Sequence, residues 1–362
     1  MYQLKTRQVC FFLIAFLPIT KFFSLPSLMA KTAGEDMWIS VLISLLLDFV
    51  TLLPIIFACK NAKKGLFEIL EDTFSKTGAK AIAIIYIIYF IAKAILPLNE
   101  QKDYVDFTLY TLKPSIAYFI PIFVLGFYMC FKRLRFLGRL ADIVWMITIN
   151  GFVTLIALSI SNADFSAILP IGVHNAGDIL SASFNSLTWF GDAVFIMFFI
   201  GQFKYEKGST VKILLSFFAG AVMVLGFMVV FYSIFSYIAF RQRFALTEVS
   251  KYTTVINNLG RIDYFGIIMI LFSNMFALCL PIYFVSKLLD YVFEFKKVWI
   301  SPTISVAIQL FIAIYLNEYI YSIGKFITVY FGYYFILVGN VLPIIFAILT
   351  IKKEKTYAIK KG

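Results

Sequence analysis

Apolar residues in this chain come in blocks close to 20 residues long, separated by short polar loops. A helix rises about 1.5 Å per residue, so about 20 apolar residues cross about 30 Å of hydrocarbon. The pattern predicts ten membrane-crossing helices, at 8–30, 37–59, 80–98, 115–131, 140–161, 183–203, 211–238, 264–286, 298–316 and 326–351. A spanning barrel would show short alternating segments instead, and none are present in the sequence. The short loops predict one all-α transmembrane domain over residues 1–362. Leu66, Phe67, Ile69, Leu70 and Phe74 recur at helical spacing, with Glu68, Glu71 and Asp72 opposite. They predict an amphipathic helix, lying on the inner membrane face or packed on the bundle. The 162–182 stretch holds Asp164, Pro170, Gly172, His174 and Asp178 but no Lys or Arg. It reads as an ordered outer loop in which His174 is structural.

Two of the ten spans are interrupted. Span 1 contains Pro18, then Ile19-Thr20-Lys21, then Phe22 to Leu25 and Pro26. Proline removes an amide donor and clashes with the preceding turn, so this stretch is expected to unwind. Irregular backbone at membrane depth survives only where it is buried in protein or lines a cavity. Span 6 carries Trp189-Phe190-Gly191-Asp192 inside an apolar run. Breaks in spans 1 and 6, five apart, are the pattern of a 5+5 inverted-repeat transporter bundle. The repeats would cover approximately 8–161 and 183–351. In such a bundle the two broken helices face each other, and their free amides and carbonyls bind a small zwitterion.

Composition sharpens this picture. The chain is 61% hydrophobic and 14% charged, with a mean hydropathy of +0.90, whereas soluble domains carry about 25% charged residues. The net charge of +12 resides in short loops, where basic residues set topology and touch lipid headgroups. No basic domain stands outside the membrane, so nucleic-acid binding is excluded. With the N-terminus inside, inner segments hold about 22 Lys and Arg and outer loops about 8. Both termini are therefore expected in the cytoplasm. Cys10, Cys59, Cys130 and Cys279 are too widely spaced for a metal set. No nucleophile elbow, P-loop, dinucleotide fingerprint or zinc motif is present, so neither a cofactor nor an enzymatic activity is expected.

Charges at depth single out the candidate chemistry. Lys21 and Asp48 both fall near mid-membrane, where a charge costs several kcal/mol unless paired or wet. Lys21 is expected to pair with Asp48 or Asp192, or to meet a substrate carboxylate; a purely structural pair fits as well. Asp192 also suits the N-cap of the second half of span 6. Lys93 is placed nearer the outer side, where snorkelling accounts for it. The candidate ligand-binding set is Thr20, Lys21, Phe22, Ser24, Phe190, Gly191, Asp192 and Ser273, with Asn274 weaker. The candidate charge pair or relay is Lys21, Asp48, Asp192 and Lys93.

Several segments carry a family likeness. Thr6-Arg7-Gln8 leads into span 1, Ser24-Leu25-Pro26 follows, and then comes Lys31-Thr32-Ala33-Gly34-Glu35-Asp36-Met37-Trp38-Ile39-Ser40. Phe136 to Asp142 enters span 5, and Asp164 with Ile168-Leu169-Pro170 follows it. With the Phe190-Gly191 break, these segments resemble the GerAB-type spore germination proteins, the B subunits of nutrient germinant receptors. That family is similar to the amino acid–polyamine–organocation transporters with their ten-helix inverted repeat. The resemblance implies a subunit of the spore inner membrane that senses a small nutrient such as an amino acid. It also implies an A subunit and a lipoprotein C subunit as partners. The family usually has small residues at the span 1 break, and Lys21 departs from that. A proton- or cation-coupled amino acid transporter is the alternative that the same features allow.

Overall fold

The computed structural model describes residues 4–109, 116–251, 263–317 and 319–359. Among them, six helices are long and apolar enough to cross a membrane, and two shorter apolar helices lie at Phe119–Cys130 and Ile300–Tyr315. Two interrupted spans complete the ten-helix bundle.

Span 1 is a helix at Thr6–Phe16, a short 3-10 turn at Ile19–Lys21 and a second helix at Leu25–Ala33. Pro26 stands in the first turn of the second helix, where its missing amide leaves no bond unmade. Gly34, with φ +47°, then turns the chain into span 2, Met37–Asn61. The Leu66–Leu109 helix contains the non-helical Ser75. Residues 66–74 form the expected amphipathic helix, packed on the bundle: Leu66, Ile69 and Leu70 are buried, and Phe67 contacts Phe198 and Tyr291. Residues beyond Ser75 make span 3. Spans 4 and 5 are Ile116–Cys130 and Leu134–Ser159, and spans 7, 8 and 9 are Ser209–Phe235, Asp263–Phe293 and Ile300–Asn317.

Span 6 starts earlier than the hydropathy predicts. Its first helix is Ala176–Asn185, so the end of the expected 162–182 loop is helical. The Asn175 side chain accepts from the Asp178 amide at 2.9 Å, capping the helix. Gly177 and Asp178 in the first turn delay the apolar signal. The chain is then irregular through Asp192 before the short helix Ala193–Met197. Span 10 also departs from its expected start at 326. A separate helix, Ile320–Val329, precedes Gly332–Ile336, a π-helical turn at Leu337–Val341 and Leu342–Ile359. Gly332 lets the Phe184 ring approach: a Cβ there would sit 2.4 Å from it.

The outward faces are apolar. Leu46, Val50 and Phe57 on span 2, and Val211, Leu215, Phe218 and Val222 on span 7, are about half exposed or more. That arrangement matches a lipid-facing belt. At one end of the bundle, spans 1 and 6 are tied by a parallel two-residue bridge, Leu4 to Phe203 and Lys5 to Lys204. Arg7 also pairs with Asp142 of span 5 at 3.2 Å. At the other end, the Ser236–Arg241 turn and the Ala245–Lys251 helix lie over the span 1 break. The Ala245 and Leu246 amides donate to the Phe23 and Phe22 carbonyls at 3.0 and 3.1 Å, and Ser27 donates to the Gln242 carbonyl. The centre of the bundle is thus covered from both sides.

Candidate functional site

Four buried charges meet between the two breaks: Lys21, Asp48, Lys93 and Asp192, exposed by 0, 1, 6 and 3%. Lys21 Nζ donates to Asp192 Oδ2 at 2.6 Å and to the Leu17 carbonyl at 2.6 Å. It also lies 4.8 Å from the centre of the Phe190 ring. Of the partners open to Lys21 in the sequence, the structure selects Asp192.

Of its two sequence readings, snorkelling lysine and member of the charge group, Lys93 takes the second. It does not snorkel outward but stands 3.3 Å from Asp192 Oδ1 and donates to the carbonyls of Phe190 and of Thr188, the latter at 3.4 Å. The break in span 6 leaves those carbonyls without helical partners, and an ammonium with three donors satisfies them at the same depth. Asp48 serves the complementary groups. Its Oδ1 accepts from the Gly191 amide at 2.8 Å and its Oδ2 from the Asp192 amide at 3.4 Å. Asp192 occupies the N-cap position of Ala193–Met197, yet its side chain caps nothing and turns to the lysines instead.

The amides and carbonyls freed by the span 6 break are therefore held by Asp48, Lys93 and Tyr89, whose hydroxyl donates to the Gly191 carbonyl at 3.4 Å. Gly191 has φ +82°, and a Cβ there would meet the Tyr89 hydroxyl at 2.6 Å. Both the backbone conformation and the close approach require glycine. The four charges sum to zero, as a low-dielectric interior demands. Two ammonium groups beside Asp192 also make this spot repulsive to a metal cation.

A small cavity adjoins the quartet. Thr20, Lys93, Thr188, Trp189, Phe195 and Ala277 are among its lining residues, and it leaves about 20 Å³ open to the centre of a water molecule. That is room for about one water. Spans 1, 3, 6 and 8 all contribute. The Thr188 hydroxyl, on a residue 1% exposed, has no hydrogen-bond partner among the described residues. Toward the end covered by the Ala245–Lys251 helix, Glu100 of span 3 accepts from Ser24 and from Trp189 Nε1, the latter at 3.3 Å, linking both breaks to span 3. Toward the opposite end, Phe90, Phe195, Phe198 and Phe284 pack with ring centres 5.1–5.5 Å apart. Below these rings lies a larger cavity of about 690 Å³, with Phe198, Phe284, Arg133, Arg135 and Lys287 in its walls.

The remaining candidates are placed as follows. Thr20 lines the small cavity. Ser24 sits at its outer edge through Glu100. The Phe22 ring turns away from the cavity and stacks on Phe152 and Phe227. Ser273 is buried one helical turn outward of Ala277, and Asn274 donates to Gln101 of span 3 at 2.6 Å. His174 lies near Glu35 and Asp36, while Asp36 accepts from the Gly172 and His174 amides at 2.8 and 2.9 Å. These bonds fix the outer loop. Glu100, Tyr89, Thr188 and Trp189 escape the sequence reading. One signal for the span 3 residues exists: Tyr86, Phe90, Lys93, Pro97, Glu100 and Tyr104 recur every three or four residues and so share one helix face.

The sequence profile of the spore germination proteins matches residues 3–322. The chain belongs to the spore germination protein family. Within it, spore germination protein YndE of Bacillus subtilis is 24% identical over 171 residues. That match spans 47% of this chain and 47% of YndE, so it covers about half the length of its curated relative. Among solved structures, a manganese transporter variant from Eremococcus coleocola superposes with a TM-score of 0.55 at 11% identity. It covers 95% of this chain and 75% of the transporter, a likeness of fold alone. This spore germination family member is thus a multi-pass membrane protein with a LeuT-like transporter fold and broken helices 1 and 6. Family and fold point to a receptor or transporter rather than an enzyme.

Proposed function

We propose that this chain is the ligand-binding membrane subunit of a spore nutrient germinant receptor, with its ligand site in the cavity between the breaks of spans 1 and 6. The observation that carries the reading is the convergence of spans 1, 3, 6 and 8 on one small cavity that presents Lys93 and a Thr188 hydroxyl with no partner among the described residues. The subunit works in the spore inner membrane with both termini in the cytoplasm, beside an A subunit and a lipoprotein C subunit. The two five-span halves are inverted repeats that pack around this site. Nutrient entry shifts the bundle to a second state by the difference in its affinity for the two states.

Deletion of the gene in its spore-forming host, with complementation by wild type or by an Ala277→Leu variant, tests this. Wild type restores germination to one nutrient class and the cavity-filling variant does not. Germination unaffected by deletion, for every nutrient, would overturn the reading. A transporter is the second reading, favoured by the 690 Å³ cavity one layer of rings below the site. Uptake of a labelled nutrient into proteoliposomes by this chain alone would establish it.

A further inference from the structure

Among the described residues, Glu100, which touches the cavity wall at Trp189, is an acidic group that the quartet does not balance. Lys21 and Lys93 offset Asp48 and Asp192. Glu100 has neutral donors, the Ser24 hydroxyl and the Trp189 indole, and the described residues give it no ion pair. Lys102 and Arg243, the nearby cations, are both engaged by Asp103, at 2.9 and 2.6 Å. Glu100 is partly buried behind the cavity wall and held by neutral donors alone, so its carboxylate is open to a charge-assisted hydrogen bond from one positive group.

Geometry puts that charge within reach of the cavity. Lys93 and Glu100 are seven residues apart on span 3, so they share a face about 10 Å apart along the axis. Pro97, which lines the cavity, lies between them. Trp189 is the wall: it lines the cavity, and its Nε1 reaches Glu100. A shift of this side chain exposes the carboxylate to the cavity and enlarges a space that now holds about one water.

We propose that Glu100 receives the protonated amine of the ligand, and that Trp189 is the residue it displaces. The inference rests on the cavity being the nutrient site. It narrows the ligand class to small organic amines, including amino acids, and sets aside sugars and nucleosides. A ligand that also bears a carboxylate directs it toward Lys93, with the Thr188 hydroxyl as a further donor.

The test is ligand-induced thermal stabilisation of the purified protein together with its partner subunits. The probes are the twenty L-amino acids, glucose and inosine; each amino acid that binds is then compared with its N-acetyl and deaminated analogues. The expected result is a shift from one or more amino acids, none from the N-acetyl or deaminated forms, and an affinity about tenfold to a hundredfold weaker in Glu100→Gln. Glu100→Asp, which keeps the charge, retains the selectivity and guards against a folding defect in Glu100→Gln. In a variant with Trp38, Trp145 and Trp299 changed to Phe, Trp189 is the sole tryptophan, and its fluorescence shifts on binding. Stabilisation by glucose or inosine, or equal binding of the N-acetyl form, overturns the role of Glu100 while the receptor reading stands. No shift from any probe with a well-folded assembly overturns the receptor reading and this inference with it.

Discussion

The buried quartet allows a quantitative expectation. Lys21→Met keeps side-chain length and removes the ammonium. Asp192 then loses its 2.6 Å partner and retains Lys93 at 3.3 Å, and the Leu17 carbonyl loses its donor. Breaking a buried pair at one end costs about 3–5 kcal/mol because the other charge is left uncompensated. Because Lys93 remains, Lys21→Met should cost about 3 kcal/mol, near the lower end of that range. Asp192→Asn leaves two ammonium groups against Asp48 alone and should cost about 4–5 kcal/mol. The double variant leaves Lys93 and Asp48, a neutral pair, and should cost less than the sum by about 2 kcal/mol or more. Equilibrium unfolding by SDS in mixed micelles measures all three. Single variants within about 1 kcal/mol of wild type, or strictly additive costs, would refute the claim that these charges hold one another in a dry interior.

Gly191→Ala should destabilise by about 2–4 kcal/mol, from the left-handed backbone and the Tyr89 contact together. Tyr89→Phe in that background should restore part of the loss, which the same unfolding assay reads. Asp36→Asn weakens two charge-assisted bonds to the Gly172 and His174 amides and should cost about 1.5–3 kcal/mol; faster proteolysis within 162–175 would show it. Glu294 is held down to about 2 by hydrogen bonds from Lys76 and Lys80 and by their charges. A depressed carboxyl contributes stability above its unfolded value, here near 4.5, which is lost as pH falls toward about 2. The group is exposed, so the effect is small and fades with salt, and Glu294→Gln should flatten the acid limb of the stability profile.

The number of spans was legible because the membrane imposes a length on each apolar run. The breaks were legible because Pro18, Pro26 and Gly191 act on local backbone. Asp192 and Lys21 stood out because charge at that depth is rare. What escaped depends on distance in space rather than in sequence. Lys93 looked able to snorkel because nothing in its own segment shows that the span 6 carbonyls lie beside it. Glu100 fell near the predicted end of span 3, and its tie to Ser24 and Trp189 joins three separate segments. The early start of span 6 was hidden by a polar first turn, although Asn175 is an ordinary cap.

The proposed nutrient site is the cavity between the two breaks. Equilibrium binding of the nutrient that triggers germination, measured on purified wild type and on Ala277→Leu, tests it most directly. Ala277 lines the cavity beside Lys93 and is 2% exposed, and leucine there more than fills a space that holds about one water. Saturable binding of one ligand per chain is expected in wild type and none in the folded variant. Equal affinity in the two proteins would place the ligand elsewhere and contradict it.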